Sequence, residues 1–440
     1  MKLKTLFSTA TFLFAGFTAI AQSWSLDDCI KTALTNNEQL ENSRLDINAA
    51  TFRIKEAKSA LLPTIDIGSQ LMYYRDVPSQ YAPASAFGGP AGEYQKLTLT
   101  MPQTASASLQ VTQNLFNQTA MAGVKAAKAT QEATVLSERV TREALVFNVT
   151  STYYTIQVMS DNLDRLADNI SNLEATTKVD EVLKDNDIVS ENVHNRILIN
   201  LENLRNQYDN QKLSLDQYHT TLKHLMNVDI NKPITIAAFD YNDALTDLEY
   251  GDIYQRPDLM YQEALLKITR FEKKVVAAGY LPTLTNSFNF GYASYNDEFS
   301  PFHQINNDWI QSSYFALSLK IPVFDGFKKH YQLKQKEVSI QRNVNTLSMM
   351  KSSATKEVED AIQAIMTNET LWQSNHKSLQ LAERLYSSSQ REYESGITSL
   401  TDFLNAQSDL SAARTNYSTA LLNLKLAELS LRKANGTLLR

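Results

Sequence analysis

The chain has 440 residues, with 42 Lys and Arg against 48 Asp and Glu, a formal net charge of −6 and a mean hydropathy of −0.32. That acid excess excludes the basic face of a nucleic-acid binder, and past the N-terminus no apolar run reaches the roughly 18 residues a membrane helix needs. With 12 glycines and 10 prolines, far below the usual ~7% and ~5%, the chain has few turns and long uninterrupted elements.

Residues 1–21 carry Lys2 and Lys4, an apolar stretch from Leu6 to Ile20, and Ala19-Ile20-Ala21 ahead of Gln22. These are the parts of a secretory signal with its cleavage site; a buried N-terminal helix is the other reading. No cysteine follows directly, so no lipid anchor is expected there, and a mature chain working outside the cytoplasm is. The single cysteine, Cys29, excludes an internal disulfide and reads as a small core residue.

A first repeat is expected over 22–227. Its opening helix leads to Pro63 and a β-hairpin over about 63–113. There Ile65, Ile67, Leu71 and Tyr73 alternate with Asp66, Gly68, Gln70 and Met72, and Ala105, Ala107, Leu109 and Val111 with Ser106, Ser108, Gln110 and Thr112, the period of two that marks a strand. A long helix over 118–177 follows, free of proline and with one glycine, Gly123; Leu163, Leu166, Ile170 and Leu173 are spaced three or four apart along it. A return helix over 190–226 closes the repeat. After an equatorial linker over 228–250, a second repeat over 251–440 keeps the same order. It has a helix, a β-hairpin over about 282–322, a long helix over 326–394 and a return helix over 399–434. Phe288, Phe290 and Tyr292 alternate with Asn289, Gly291 and Ala293, and Phe315, Leu317, Leu319 and Ile321 with Ala316, Ser318 and Lys320. The seven-residue spacing from Val344 to Ala382 predicts helices packed as coiled coils, each roughly 90 Å long for about 60 residues.

The duplication is visible in the residues. Leu40 and Pro63 are separated as Leu259 and Pro282 are, Val111–Asn117 parallels Leu319–Asp325, and Asn186–Val193 parallels Gly396–Phe403. Strands of about ten residues with one apolar and one small or polar face fit a membrane barrel; an ordinary soluble sheet with one buried face fits the same alternation. Tyr73, Tyr74, Tyr292, Tyr295, Trp309 and Tyr314 cluster near the hairpin ends, where membrane-interface aromatics belong. Four strands cannot close a barrel, and an open edge in lipid leaves costly unpaired backbone groups. Two copies would supply about eight strands and three about twelve, of which only the larger set leaves an opening. The expected fold is therefore mainly α with a small β part: a homotrimeric barrel in the outer membrane, continued by a long helical tunnel into the periplasm.

Several segments carry a family resemblance. They are Leu26-Asp27-Asp28-Cys29-Ile30 with Ala33-Leu34, Arg256-Pro257-Asp258-Leu259, Leu281-Pro282, and Pro322-Val323-Phe324-Asp325-Gly326. The most specific runs from Tyr393-Glu394-Ser395-Gly396-Ile397-Thr398-Ser399-Leu400-Thr401-Asp402-Phe403 through Leu404-Asn405-Ala406 to Ala434-Asn435-Gly436. Over essentially the whole mature chain these resemble the TolC-like outer-membrane efflux proteins. The resemblance implies a passive exit duct of a tripartite efflux or type I secretion system, fed by a periplasmic adaptor and an inner-membrane transporter, with no catalysis and no cofactor. A wholly periplasmic coiled-coil adaptor or structural rod is the alternative. The resemblance also assigns roles. Asp402 matches one of two acidic gate positions and Asn405 the other, so half of that charge is absent. Tyr393 matches a tyrosine that latches helix pairs, whose partner position falls at Asn192 and whose basic position falls at Thr398. Gly396, with Asn186 as its counterpart in the first repeat, matches the tip that docks adaptor hairpins. Asp402 also fits a plain helix N-terminal acid, and Gly396 a plain turn. No G-x-S-x-G or phosphate loop occurs, and His219 with His224 is not the one-turn pair of a metal site. Lys328, Lys329, Lys334 and Lys336 form a solvated face or meet anionic groups at the inner leaflet.

Overall fold

The structure, a computed structural model, describes residues 23–186, 188–239, 251–299 and 309–439. The signal expected over 1–21 lies outside the described residues, as do residues 240–250 of the expected linker. The elements in order are α1 (Leu26–Asn36), α2 (Glu38–Ser59), β1 (Thr64–Tyr73), β2 (Gln80–Pro83), β3 (Tyr94–Leu97), β4 (Gln103–Asn117), α3 (Gln118–Asp185), α4 (Glu191–Met226), α5 (Pro257–Ala278), β5 (Thr283–Asn296), β6 (Ile310–Lys320), α6 (Lys328–Glu394) and α7 (Leu400–Ala434). The layout runs twice: α2 and α5 have 22 residues each, α3 and α6 have 68 and 67, and α4 and α7 have 36 and 35.

Two compact units form. One comprises residues up to 42, 139–257 and 352 onward; the other comprises 43–138 and 258–351. The second unit carries a four-stranded antiparallel sheet in the order β1-β4-β5-β6. Residues directly opposed across antiparallel strands share a face, so the register sorts the side chains. Ile65, Val111, Phe288 and Phe315 form one row across all four strands, and Asp66, Gln110, Asn289 and Tyr314 the next. The first face is apolar and stands in the open: Ile67 is 83% exposed and Phe315 67%. The register shifts between Asn114 and Phe116, where β4 bulges against β5. Among the described residues β1 and β6 each pair on one side only, which leaves the sheet two free edges there. Beside it, α5 is tied to α6 by Lys351–Glu263 at 3.0 Å and Lys336–Glu272 at 2.7 Å, and to α3 by Lys267–Glu132.

Two local expectations are refined. The loop between β1 and β4 is not plain, because β2 and β3 pair within it from Gln80 opposite Leu97 to Pro83 opposite Tyr94. The opening helix is also split at Asn37. Ser25 and Asp28 cap α1 reciprocally, while Asn37 starts α2 by accepting from the Leu40 N–H at 3.1 Å and donates to the Leu225 carbonyl at 3.0 Å.

In the first unit the helices pack on the predicted seven-residue seam. Ile365, Leu379, Tyr386 and Tyr393 of α6 and Phe403, Leu410, Tyr417, Leu424 and Leu431 of α7 are all buried. A neighbouring cluster joins Cys29 and Ala33 of α1 to Val149, Tyr153 and Ile156 of α3 and to Leu222 and Met226 of α4. Among the described residues no helix is long and apolar enough to cross a membrane. Burial, with the Asp28 charge beside it, pushes the Cys29 thiol up to about 12. Since the thiolate is the reacting form, maleimide at pH 8 should leave Cys29 unlabelled in the folded protein and label it fully after denaturation, as read by intact mass.

Candidate functional site

The two helix-to-helix turns of the first unit share one backbone bond, from an isoleucine N–H to the carbonyl five residues back. Helix α6 ends with the Gly396 N–H bonded to the Tyr393 carbonyl at 2.9 Å and the Ile397 N–H bonded to the Glu392 carbonyl at 2.8 Å, the paired bonds of a Schellman motif. That motif needs a left-handed residue, and Gly396 supplies it at φ 71°. A Cβ at Gly396 would meet nothing within 4 Å, so the requirement is one of backbone alone. At the end of α3 the Ile188 N–H bonds the Leu183 carbonyl at 2.9 Å. The helix caps then match as Ser190 with Ser399, one residue away from the alignment read in the sequence. Asn186 bonds back to Val182 as Ser395 does to Arg391. Asn186 is therefore the counterpart of Ser395, not of Gly396. Both Asn186 and Gly396 are exposed.

Just inside these turns sits a polar layer that sequence reasoning missed. On α3 the seam runs Leu166, Leu173 and then Asp180, which is fully buried. Its Oδ1 accepts from the Tyr393 hydroxyl of α6 at 2.8 Å, and its Oδ2 lies 2.8 Å from Nδ1 of the buried His194 on α4. One carboxylate thus joins three helices. Phe403 of α7 completes the layer, its ring stacked on Tyr393 at 5.4 Å with the planes 8° apart. Burial first, then the Asp180 hydrogen bond and charge, hold the Tyr393 hydroxyl above the usual tyrosine range. Nearby crossbars join α4 to α7 through Asn200 and Gln407 at 2.8 Å. They join α7 to α3 through Arg414, which donates to Asn169 Oδ1 at 2.6 Å.

The expected latch partners are not brought to Tyr393. Asn192 is exposed on the first turn of α4, and Thr398 lies within the α6–α7 turn, its N–H 3.4 Å from the Glu392 carbonyl. The tyrosine instead reaches Asp180, because it occupies the seam position facing α3. Asp402 and Asn405 share the exposed side of the start of α7, opposite buried Phe403 and Ala406. The Asp402 carboxylate accepts from the Ser399 hydroxyl at 2.6 Å, and its backbone N–H donates to that oxygen at 3.2 Å; it is a helix-cap acid that also presents its charge to solvent.

The expected interface aromatics divide. Tyr73 and Tyr292 lie on the apolar face of the sheet, whereas Tyr295, opposite Thr104, and Tyr314, opposite Asn289, lie on the polar face. Trp309 directly precedes β6, and half-buried Tyr74 donates its N–H to the Pro102 carbonyl at 2.7 Å. Among the described residues no cluster of ligating side chains suits a metal ion.

The chain belongs to the outer membrane efflux protein family, whose model matches residues 29–183 and 253–437, one segment in each repeat. It is similar to the probable efflux pump outer membrane protein TtgC of Pseudomonas putida, 23% identical over 89% of this chain and 80% of that one. It is also similar to the outer membrane protein TolC of Escherichia coli, 22% identical over 89% of this chain and 78% of that one. Among solved structures, the CmeC outer membrane channel of Campylobacter jejuni aligns with a TM-score of 0.76 at 18% identity, covering 94% of this chain and 85% of that one. VceC of Vibrio cholerae aligns with a TM-score of 0.74 at 15% identity, covering 93% and 96%. By family the chain is an outer membrane efflux protein, an exit duct of the outer membrane.

Removing the shared acceptor should loosen the polar layer. Asp180→Ala leaves two buried groups without it, at about 1–3 kcal/mol each. Amide exchange over 389–403 should then speed up, with peptides from α5 unchanged. Asp402→Ala, on the exposed side, should move the 389–403 peptide far less.

Proposed function

We propose that three copies pair β6 of each with β1 of the next. This closes a twelve-stranded barrel whose apolar face meets outer-membrane lipid and whose helices continue the lumen into the periplasm. The observation that carries this reading is the exposed apolar row Ile65, Val111, Phe288 and Phe315 on a sheet with two free edges. A backbone edge in lipid is satisfied only by closure. A periplasmic rod would leave the same apolar face in water, where large exposed apolar patches are rare. The duct is passive. A periplasmic adaptor docks at the turns around Gly396 and Asn186, and an inner-membrane transporter supplies cargo and energy.

In this assembly the tip is the gate. The Tyr393–Asp180–His194 layer latches the helix pairs of each copy, and Asp402 with Asn405 lines the narrowing. Three carboxylates converging on an axis focus a negative potential that attracts cations. In planar bilayers the purified protein should conduct. Asp402→Ala should lower cation preference and weaken block by polyvalent cations. An absence of conductance under every gating condition overturns the duct, whereas unchanged selectivity removes only Asp402 from the gate. Release with the periplasmic fraction, without detergent, would favour the rod.

A further inference from the structure

At the helix end of the sheet, opposite the hairpin loops, Ile321-Pro322-Val323-Phe324-Asp325-Gly326-Phe327-Lys328 leads from β6 into α6. Val323 is 92% exposed, Phe324 75% and Phe327 59%, and Tyr331 in the first turn of α6 is exposed too. The patch continues the apolar face of β6, where Phe315, Leu317, Leu319 and Ile321 are all exposed.

Two features separate this patch from ordinary surface. The first is backbone strain. Gly326 and Phe327 both take left-handed conformations, φ 65° and 63°. Glycine does this freely, but for a bulky side chain it is an outlier held only where the surroundings insist. Asp325 supplies the insistence, since its Oδ2 accepts from the Lys329 N–H at 3.2 Å and pairs with Lys329 Nζ at 3.0 Å. The result turns Phe327 outward, edge-on to Phe324 at 5.4 Å and 6.5 Å from the His330 ring. Phe327 stays largely exposed despite that cost.

The second feature is charge. Of the four lysines that follow β6, three pair with carboxylates: Lys329 with Asp325, Lys334 with Glu337 at 2.9 Å, a carboxylate shared with Lys273, and Lys336 with Glu272 at 2.7 Å. Lys328 is exposed and makes no ion pair among the described residues. An exposed cation without an ion pair, Lys328, therefore borders the exposed, strained aromatic pair.

We propose that this patch seats an acidic phospholipid of the periplasmic leaflet. Phe324, Phe327 and Tyr331 lie at the boundary between acyl chains and headgroups, where amphipathic rings are favoured, and Lys328 meets the anionic headgroup. The seat rests on the reading that the apolar face of the sheet meets lipid, and it gives the duct a fixed depth in the membrane.

Cys29 is buried, so an introduced cysteine takes a fluorophore alone. Phe327→Cys, with Phe324→Cys as a second version of the same probe, reports the patch, and Ile67→Cys reports the sheet face. The full-length protein is placed in nanodiscs of phosphatidylcholine and phosphatidylglycerol, with one or the other brominated. Labels at 327 and 324 should be quenched, more by brominated phosphatidylglycerol than by brominated phosphatidylcholine. Lys328→Gln should cut that preference about fivefold, the attraction of one lysine for an acidic surface. Quenching at 67 but at neither 327 nor 324 overturns the seat and leaves the lipid-facing sheet intact; a second copy covering the patch gives this result. Equal quenching by the two lipids, or a preference that Lys328→Gln does not change, overturns the acidic-headgroup assignment. Quenching at none of the three positions overturns the seat and the lipid-facing sheet together.

Discussion

Backbone hydrogen bonding at a sheet edge is the constraint on which this molecule turns. In water an unpaired edge is tolerable; in hydrocarbon every orphaned N–H and C=O costs several kcal/mol, about as much as many domains' entire margin of stability can spare. Strands β1 and β6 each present such an edge, and the apolar face between them does not suit water either. Both faults have a common remedy, edge-to-edge pairing with other copies inside a bilayer. The chain's duplication supplies four antiparallel strands, and in the proposed assembly association supplies the rest.

The first unit answers a different need. In the proposed gate, paired helices that hold shut and then let cargo through are poorly served by uniform apolar packing. The unit's seams run through Leu166 and Leu173 and then place Asp180, His194 and Tyr393 in one layer. A buried polar layer contributes less to stability than hydrophobes of equal volume, but it fixes register and depends on every partner being present. Such a layer is firm when complete and weak when one member is withdrawn, which suits the proposed closure. The stacked Phe403 ring couples the layer to α7, the helix that carries Asp402 on its other side.

The fold was legible because its signals are long. Period-two alternation over four strands, a seven-residue seam over some 60 residues and the repeated Leu-to-Pro spacing each recur often enough to outweigh local exceptions. Short-range detail was harder. The break at Asn37 depends on a side chain that reaches the Leu225 carbonyl from far along the chain, and the β2–β3 pairing lies inside a loop whose composition signals only turns. In the tip, matching motif letters placed the partner of Tyr393 on α4, at Asn192. Continuing the seam from Leu166 and Leu173 by seven residues leads to Asp180 instead, so periodicity held the answer that motif likeness did not. The one-residue slip between the repeats came from letters as well: only the cap geometry shows that Asn186 stands where Ser395 does. The aromatics near the hairpin ends were found by composition. Which side of the sheet each one takes follows from strand register, which composition does not encode.

The central claim is that a single chain leaves its sheet open and that three chains close it. Native mass spectrometry of the protein extracted in detergent measures this directly. The account predicts one dominant species at three times the mass of the mature chain, persisting when the detergent is exchanged. A stable monomer, or a dimer whose eight strands close a filled barrel, would contradict it.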